Sequence, residues 1–333
     1  MNAEFKPIVR NPHLLTIAAN YWPRKIDHRR FPGLRREYRI DPLATILALA
    51  HQPDSNARGQ IVLLHGLEGC ADSGYMQSFA QAALVRGFGV HRLNSRTCGG
   101  TEELCETMYH SGLTDDVLAV LEQLQRQGSG PAFIVGFSLG GNVALKLAGE
   151  LGTTDLLAGI CAVSTPIDLA ACVRHIQKRS NMLYARRFVN RLCERVKRKS
   201  KSSPHLYSTA GLDQVKTIWE FDDRFTAPLF GFGTAANYYA TQSAVGYLDR
   251  IRVPALVICA KDDPLIPFAV YSHPAFQSNP ALTLVATEHG GHLGFLARGK
   301  DRFWVDGVAL NWIESVLESA GRNRAMCTDS GCG

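Results

Sequence analysis

The sequence lacks several features that mark special classes of protein. No apolar run approaches the roughly 18 residues of a membrane-spanning helix, and the N-terminus has early charges and prolines instead of the apolar segment of a secretory signal. The nine cysteines are scattered and form no CxxC pair, which argues against a disulfide framework and a zinc site. The basic residues form no recognisable nucleic-acid-binding module. We therefore expect a soluble, cytoplasmic protein that binds no nucleic acid.

The composition is that of an ordinary globular protein. Of the 333 residues, 46% are hydrophobic and 20% are charged, which is ample material for a large core. The net charge of +6 weakly favours contact with anionic surfaces. The basic run from Arg195 to Lys201 is typical of a solvated helix face, with peripheral contact to an anionic membrane as the alternative interpretation.

Short apolar runs alternate with helix-like segments along much of the chain. Examples are "QIVLLHG" before "GYMQSFAQAALVRG", and "AFIVGFS" before "LGGNVALKLAGEL". This alternation predicts an α/β fold with a mostly parallel central sheet and helices on both faces. The alternation stops near residue 166, where a charged, helix-like and then aromatic stretch begins, and it returns near residue 251.

The same changes in pattern predict the domain organisation. Residues 1–35 are rich in proline and arginine, which indicates an extended N-terminal arm. Residues 36–165 and 251–320 form the α/β core, and residues 166–250 form a helical cap inserted into it. Residues 321–333 lack a packing pattern and are expected to be a disordered tail.

One serine has the surroundings of a nucleophile. Gly136-Phe137-Ser138-Leu139-Gly140 forms a G-x-S-x-G pattern between an apolar strand and a helix. In that context a sharp, strained turn exposes the serine hydroxyl, and small neighbours are needed because strand and helix crowd together. The alternative is a glycine-rich turn whose serine has no catalytic role. The position between strand and helix favours the nucleophile.

A serine nucleophile needs a base, and the base needs an acid that orients it. In this fold the acid and then the histidine follow the serine along the chain. Asp262 and Asp263 end one apolar run, and His289 and His292 follow the next. His292 is the better candidate for the base because a Gly-Gly pair precedes it, which allows a loop to carry it over the serine. The residues alone leave the two aspartates open.

The chemistry also requires donors for the oxyanion of the tetrahedral intermediate. In such folds one backbone N–H comes from the loop after the third strand and another from the residue after the nucleophile. These positions correspond to Leu67, in "LLHGLEGC", and to Leu139. The alternative for the His-Gly pair before Leu67 is a simple turn that ends the strand.

Four segments resemble, in chain order, motifs of the α/β-hydrolase superfamily: "HGLEG" (65–69), "GFSLGGN" (136–142), "DDP" (262–264) and "GGH" (290–292). Three more resemble its YheT-like branch, which is related to the AB-hydrolase-domain esterases and phospholipases and to the embryogenesis-associated hydrolases: "NPHLLTI" (11–17), "YHSG" (109–112) and "DDRFTAP" (222–228). The resemblance covers nearly the whole chain except its last dozen residues.

The resemblance implies an α/β-hydrolase fold with Ser138 as nucleophile, Asp263 as acid and His292 as base. It implies a serine hydrolase that cleaves carboxylic esters, either a carboxylesterase or a lipase for acylglycerols or phospholipids, and that needs no metal or organic cofactor. The alternatives are a non-catalytic binding protein of the same fold, and an acyltransferase or thioesterase with the same three residues. His110 and Asp115 match the H-x4-D pattern of acyltransferases, although a loop-bonding role is the alternative.

The cap is rich in aromatic side chains. They are expected either to line a pocket for an acyl chain or to form the core of the cap itself. They are Trp219, Phe221, Phe225, Phe230, Phe232, Tyr238 and Tyr239.

Overall fold

The computed structural model describes residues 4–329, with side chains as far as residue 322, and its centre is one eight-stranded sheet. The spatial order of the strands is β1-β2-β4-β3-β5-β6-β7-β8. Strand β2 is antiparallel to β1 and β4, and the other neighbouring pairs are parallel. The strands are β1 (Leu34–Asp41), β2 (Ala44–His51), β3 (Gln60–Leu64), β4 (Gly89–Leu93), β5 (Ala132–Phe137), β6 (Gly159–Val163), β7 (Ala255–Ala260) and β8 (Leu282–Thr287).

Helices cover both faces of the sheet, which confirms the predicted fold class. The segment between β6 and β7 holds α5 to α9, all within the residues predicted to form the cap (166–250), and residues 166–250 are called the cap below. The helices are α1 (Pro12–Tyr21), α2 (Gly74–Val85), α3 (Asp115–Arg126), α4 (Leu139–Leu151), α5 (Leu169–Ile176), α6 (Met182–Ser202), α7 (Ile218–Phe221), α8 (Ala227–Leu229), α9 (Ala235–Gln242), α10 (Ala275–Ser278) and α11 (Trp304–Asp329).

The alternation of side chains along the strands builds two hydrophobic layers. In β3, Ile61 and Leu63 point to the layer that includes α2 and α11. Val62 and Leu64 point to the opposite layer, which includes α3, α4 and the cap helices. Successive side chains of a strand face opposite sides, so a strand buried on both faces is apolar throughout, as β3 is.

The register of the parallel strands brings four loops to one edge of the sheet. The last pair between β3 and β5 is Leu64 with Gly136, and the last pair between β7 and β8 is Ala260 with Thr287. The loops that follow these four strands therefore emerge at the same edge of the sheet. Such an edge, at the carboxyl ends of the strands, is where ligands bind in open α/β sheets.

The N-terminal arm is not extended throughout, because residues 12–21 form helix α1. Pro12 stands at the first helical position and the Asn11 side chain accepts a hydrogen bond from the Leu14 N–H. Both features favour the start of a helix. Proline at the first position costs no hydrogen bond, because an N–H there would have no acceptor within the helix, and the asparagine side chain accepts a hydrogen bond from a free backbone N–H. The prediction of an extended arm was wrong over these residues.

The C-terminal helix α11 continues to Asp329. Residues 321–329 are therefore helical, where the sequence analysis predicted disorder, and residues 330–333 lie outside the described residues. No helix in the described part of the chain is long and apolar enough to cross a lipid bilayer. The cysteines whose side chains are described are free thiols: Cys70, Cys98, Cys105, Cys161, Cys172, Cys193 and Cys259.

Candidate active site

Ser138 lies at a strained turn between β5 and α4. Its φ is 51° and its ψ is −118°, a backbone conformation that non-glycine residues rarely adopt. The Ser138 N–H donates to the Val163 carbonyl at 2.8 Å, which ties the turn to the neighbouring strand. Strain of this kind persists only where the surroundings impose it, and it concentrates at functional sites.

Two glycines make the turn sterically feasible. A Cβ atom on Gly136 would collide with the Gly140 carbonyl, and one on Gly140 would collide with the Leu64 carbonyl. Strand β5, helix α4 and strand β3 are thus in backbone contact at this point. The G-x-S-x-G spacing follows from this close approach.

The structure brings Ser138, His292 and Asp263 together in one chain of hydrogen bonds. Ser138 Oγ lies 3.0 Å from His292 Nε2, and His292 Nδ1 lies 2.9 Å from Asp263 Oδ2. The other carboxylate oxygen of Asp263 accepts the N–H groups of Leu265 and Ile266 at 2.8 and 3.1 Å. The Asp263 side chain is only 1% exposed, so these bonds hold it in one orientation.

The remaining two candidates form a separate pair. His289 Nδ1 lies 3.1 Å from Asp262 Oδ2, and the His289 side chain is 36% exposed. Asp262 Oδ1 accepts the Gly291 N–H at 2.9 Å. Asp262 therefore braces the loop that carries His292, and no hydrogen bond joins His289 to Ser138 among the described residues.

Helix α1 supports His292 from the outside. The His292 N–H donates to Thr16 Oγ1 at 2.9 Å, and that hydroxyl donates to the Pro12 carbonyl at 2.7 Å. Gly291 has φ 57°, and a side chain there would meet the same helix. The local sequence pattern did not predict a role for Thr16. Only its place in the "NPHLLTI" motif pointed to it.

Two backbone amides of residues that line the same cavity as Ser138 have no acceptor among the described residues. In the loop after β3, Gly66 and Glu68 donate their N–H groups to tyrosine hydroxyls at 3.1 and 3.0 Å. The intervening Leu67 N–H has no acceptor among the described residues, and neither does the N–H of Leu139 at the start of α4. Leu67 and Leu139 line the same cavity as Ser138, where an oxyanion would form.

His65 holds the first of these loops. Its Nδ1 lies 2.8 Å from the Gly66 carbonyl, and its Nε2 accepts the Ser95 N–H at 3.1 Å. Burial lowers the pKa of His65 to about 4, so the ring is neutral at pH 7. This bonding pattern assigns the single ring proton to Nδ1, which donates to Gly66.

A cavity of about 90 Å³ opens over Ser138 and His292, between the core and the cap. Its walls are mostly apolar, and more than half of the lining residues lie in the segment between β6 and β7. Of the seven cap aromatics, only Phe221, Tyr238 and Tyr239 lie on its wall. The others pack within the cap or against His110, and they are Trp219, Phe225, Phe230 and Phe232.

The cavity wall also contains a buried carboxyl group that the sequence analysis did not single out. Asp222 accepts hydrogen bonds from the hydroxyls of Thr226 and Tyr239 at 2.6 and 2.5 Å, within a π-helical turn (Asp222–Thr226). Burial raises the pKa of Asp222 to about 6, although both hydrogen bonds act in the opposite direction. In the sequence, only the place of Asp222 in the "DDRFTAP" motif pointed to a functional role.

We expect Asp222→Asn to gain stability relative to wild type as the pH rises. The unfolded chain ionises Asp222 near pH 4 and the folded chain near pH 6, so folding of the wild type weakens over that interval. The gain should reach on the order of 2 kcal/mol above pH 6 and then level off. Urea unfolding of both proteins at pH 4.5 and pH 7.5 measures it, and an equal difference at the two pH values would contradict the pKa of Asp222.

His110 and Asp115 are not joined by a hydrogen bond or an ion pair, although the structure describes both. The His110 ring accepts the Gly112 N–H at 3.2 Å and packs among aromatic rings of the cap. Burial lowers the pKa of His110 to about 3. These contacts favour a loop-bonding role for His110 over an acyltransferase motif.

The basic run Arg195–Lys201 is not a uniformly solvated face. Arg195 is buried beside the cavity, and the buried Lys199 ammonium donates to the Glu102 and Cys105 carbonyls at 2.9 and 2.6 Å. Buried positions recur along α6 at Val189, Leu192, Val196 and Lys199. This helical spacing was a signal that residues of the run face inward.

The comparisons with known proteins agree with this fold. A family model described as "alpha/beta hydrolase fold" matches residues 59–298. The Escherichia coli K12 protein named "Putative esterase YheT" is 33% identical over 326 residues, which are 96% of this chain and 95% of that protein. Mouse "Phospholipase ABHD3" is 29% identical over 276 residues, which are 81% of this chain and 66% of that protein.

Solved structures share the fold at low identity. The crystal structure of 2,6-dihydroxy-pseudo-oxynicotine hydrolase superposes with a TM-score of 0.59 at 18% identity, covering 87% of this chain and 69% of that one. At this identity the similarity supports the fold alone.

Proposed function

Because the chain belongs to the alpha/beta hydrolase fold family, and within it to the branch of YheT, we propose that it is a serine hydrolase that cleaves carboxylic esters. One observation carries the proposal. The hydroxyl of Ser138 is bonded to an imidazole that is itself bonded to a buried carboxylate, through His292 and Asp263. This is the arrangement that turns a weak hydroxyl nucleophile into a strong one.

The proposed reaction passes through an acyl-enzyme. His292 Nε2 takes the proton of Ser138 as Oγ attacks the ester carbonyl, and Asp263 stabilises the imidazolium that forms. The carbonyl oxygen becomes negatively charged and accepts hydrogen bonds from the two free amides, Leu67 and Leu139. The imidazolium then gives its proton to the leaving alcohol. A water molecule, deprotonated by the same histidine, releases the acid and restores the serine.

The substrate proposed here is an ester with an apolar acyl group. The cavity beside Ser138 is walled mainly by aliphatic and aromatic side chains, and such a wall suits a hydrocarbon chain rather than a charged group. The names of the relatives, an esterase and a phospholipase, belong to the same class of reaction. We propose a carboxylesterase or an acylglycerol- or phospholipid-type lipase on these grounds.

A fluorophosphonate probe tests the proposal, because it forms a covalent bond only with an activated serine. We expect the wild-type protein to be labelled and Ser138→Ala to remain unlabelled. Ser111→Ala is the matched control, since Ser111 lies on the same cavity wall and has no histidine partner among the described residues; it should label like wild type. Absence of labelling in the wild type would favour a non-catalytic binding protein.

A panel of esters and thioesters with varied acyl chains then separates the reaction classes. Hydrolysis of esters in preference to thioesters is the expected result. Transfer of the acyl group to an added alcohol, faster than to water, would instead indicate an acyltransferase that uses the same residues.

A further inference from the structure

A buried ion pair joins the cap to the loop that carries Leu67. Glu68 follows Leu67 in the chain, and Arg195 lies on α6. Arg195 Nη2 is 2.7 Å from Glu68 Oε1, and both side chains are only 4% exposed. This close contact does not have the angles of a hydrogen bond, so Glu68 Oε1 has no hydrogen-bond donor among the described residues. Arg195 Nε has no acceptor among them either. A buried pair with incomplete hydrogen bonding is weakly stabilising at best, so stability alone does not explain it.

The pair acts on a residue whose backbone is strained. Glu68 has φ 58°, in the left-handed region that favours glycine. Its N–H donates to the Tyr109 hydroxyl at 3.0 Å and its carbonyl accepts from Arg191, also on α6, at 3.2 Å. The backbone and the side chain of Glu68 are thus both held by neighbours. The conformation of Glu68 also closes a turn in which the Gly69 N–H donates to the Gly66 carbonyl at 3.0 Å, and that carbonyl belongs to the same peptide as the Leu67 N–H.

The Arg195 guanidinium also touches the other groups around this loop. It lies over the Tyr109 ring, 4.4 Å from the ring centroid, and its Nη2 is 3.2 Å from Cys98 Sγ. Tyr109 in turn packs edge-on against His65, at 6.4 Å between ring centroids. One cap side chain therefore contacts Glu68 and Tyr109, which hold the loop after Leu67, and Tyr109 connects it to His65, which holds the loop before Leu67.

We propose that Arg195, through Glu68, is a positioning residue for the oxyanion site. It keeps Glu68 in the left-handed conformation that closes the turn from Gly66 to Gly69. The hydrogen bond of that turn fixes the Gly66–Leu67 peptide, and so directs its N–H toward the oxygen on which negative charge develops. The cap then contributes to stabilising the transition state as well as covering the acyl chain. This inference rests on the proposed function, because it concerns the same reaction.

The test compares Glu68→Gln, Arg195→Met and the double variant. The readout is inhibition by an alkyl trifluoromethyl ketone, which Ser138 attacks while its proton passes to His292, leaving an oxyanion on the former carbonyl. We expect kcat/KM for an ester to fall by about 10- to 100-fold, as for other small displacements in an active site. The inhibition constant of the ketone should rise by the same factor. The inhibition constant of the matching alcohol, which forms no oxyanion, should stay within about twofold.

The double variant separates positioning from folding. Each single variant leaves one buried charge without its partner and is expected to lose thermal stability, whereas the double variant removes both charges and should recover it. Its kcat/KM and its affinity for the ketone should nevertheless stay as low as in the single variants. If the single variants do not fold, the double variant alone supplies the comparison with wild type.

A second pair on the same helix is the matched control. Arg198 contacts Glu102 at 3.0 Å, but its side chain is 50% exposed and this pair lies away from the loop. Arg198→Met and Glu102→Gln should leave both inhibition constants unchanged.

Three outcomes would overturn the inference. Unchanged binding of the ketone by the double variant would show that the loop needs no such support. Equal losses for ketone and alcohol would make Arg195 a substrate-binding residue. A wild-type protein that neither hydrolyses esters nor reacts with the fluorophosphonate would contradict the proposed function and this inference with it. If the wild type does react, an unexpected result with the variants contradicts only the inference.

Discussion

His292→Ala is expected to lower kcat for an ester by at least about a thousandfold, because the Ser138 hydroxyl then has no base at 3.0 Å to take its proton. Ser138→Ala and the double variant Ser138→Ala/His292→Ala should be impaired to nearly the same extent. The effects of mutating residues that act as a unit do not add, and the residual rate comes from the amides and the cavity. Steady-state turnover of one ester by the three purified variants measures both expectations.

His289→Ala is the control for this result. His289 lies three residues earlier in the same loop, is more exposed and bonds Asp262 instead of the serine. It should keep kcat within about tenfold of wild type, and whatever it loses would come from loosening the loop. If His289→Ala were the inactive variant and His292→Ala the active one, the assignment of the base would be wrong.

Asp263→Asn is expected to lower kcat by about 10⁴-fold without unfolding the protein. An asparagine oxygen can still accept the N–H groups of Leu265 and Ile266, so the loop keeps its shape. Its NH₂ group, however, would face His292 Nδ1 and leave that nitrogen without its proton. The proton then occupies Nε2, which can no longer accept the proton of Ser138.

Asp262→Asn provides the comparison, because its side chain also accepts a loop N–H but its ring partner is His289. We expect a loss of less than about tenfold. Circular dichroism and thermal unfolding of both variants check that the fold is kept. Comparable losses in the two variants would mean that loop geometry, rather than the tautomer of His292, limits the reaction.

The periodicity of the chain was enough to predict much of the fold. Apolar runs such as residues 60–64 and 132–137 are strands because a parallel strand buried on both faces must be apolar at every position. The position of Ser138 between such a strand and a helix also followed from local patterns. Helix α1 was missed because the arginines and prolines around it outweighed the Asn-Pro start signal.

Contacts between distant segments could not be predicted in this way. Asp262 and Asp263 are adjacent and chemically identical, and their local sequence does not tell which one turns toward the serine. Arg195 belongs to a run of positive charges that resembles a solvated surface, and Glu68 belongs to a glycine-rich loop. Their pairing joins residues 127 positions apart (195 − 68), and local patterns carry no information at that separation.

The sequence by itself determined the sheet, the order of its loops and the sharp turn at Ser138, because side-chain periodicity and steric crowding act over a few residues. Only the tertiary structure decided which aspartate faces His292, that α1 supports that histidine, and that a cap arginine is buried against the loop of Leu67. These choices depend on which surfaces exclude water together, and that is settled only when the whole chain has packed.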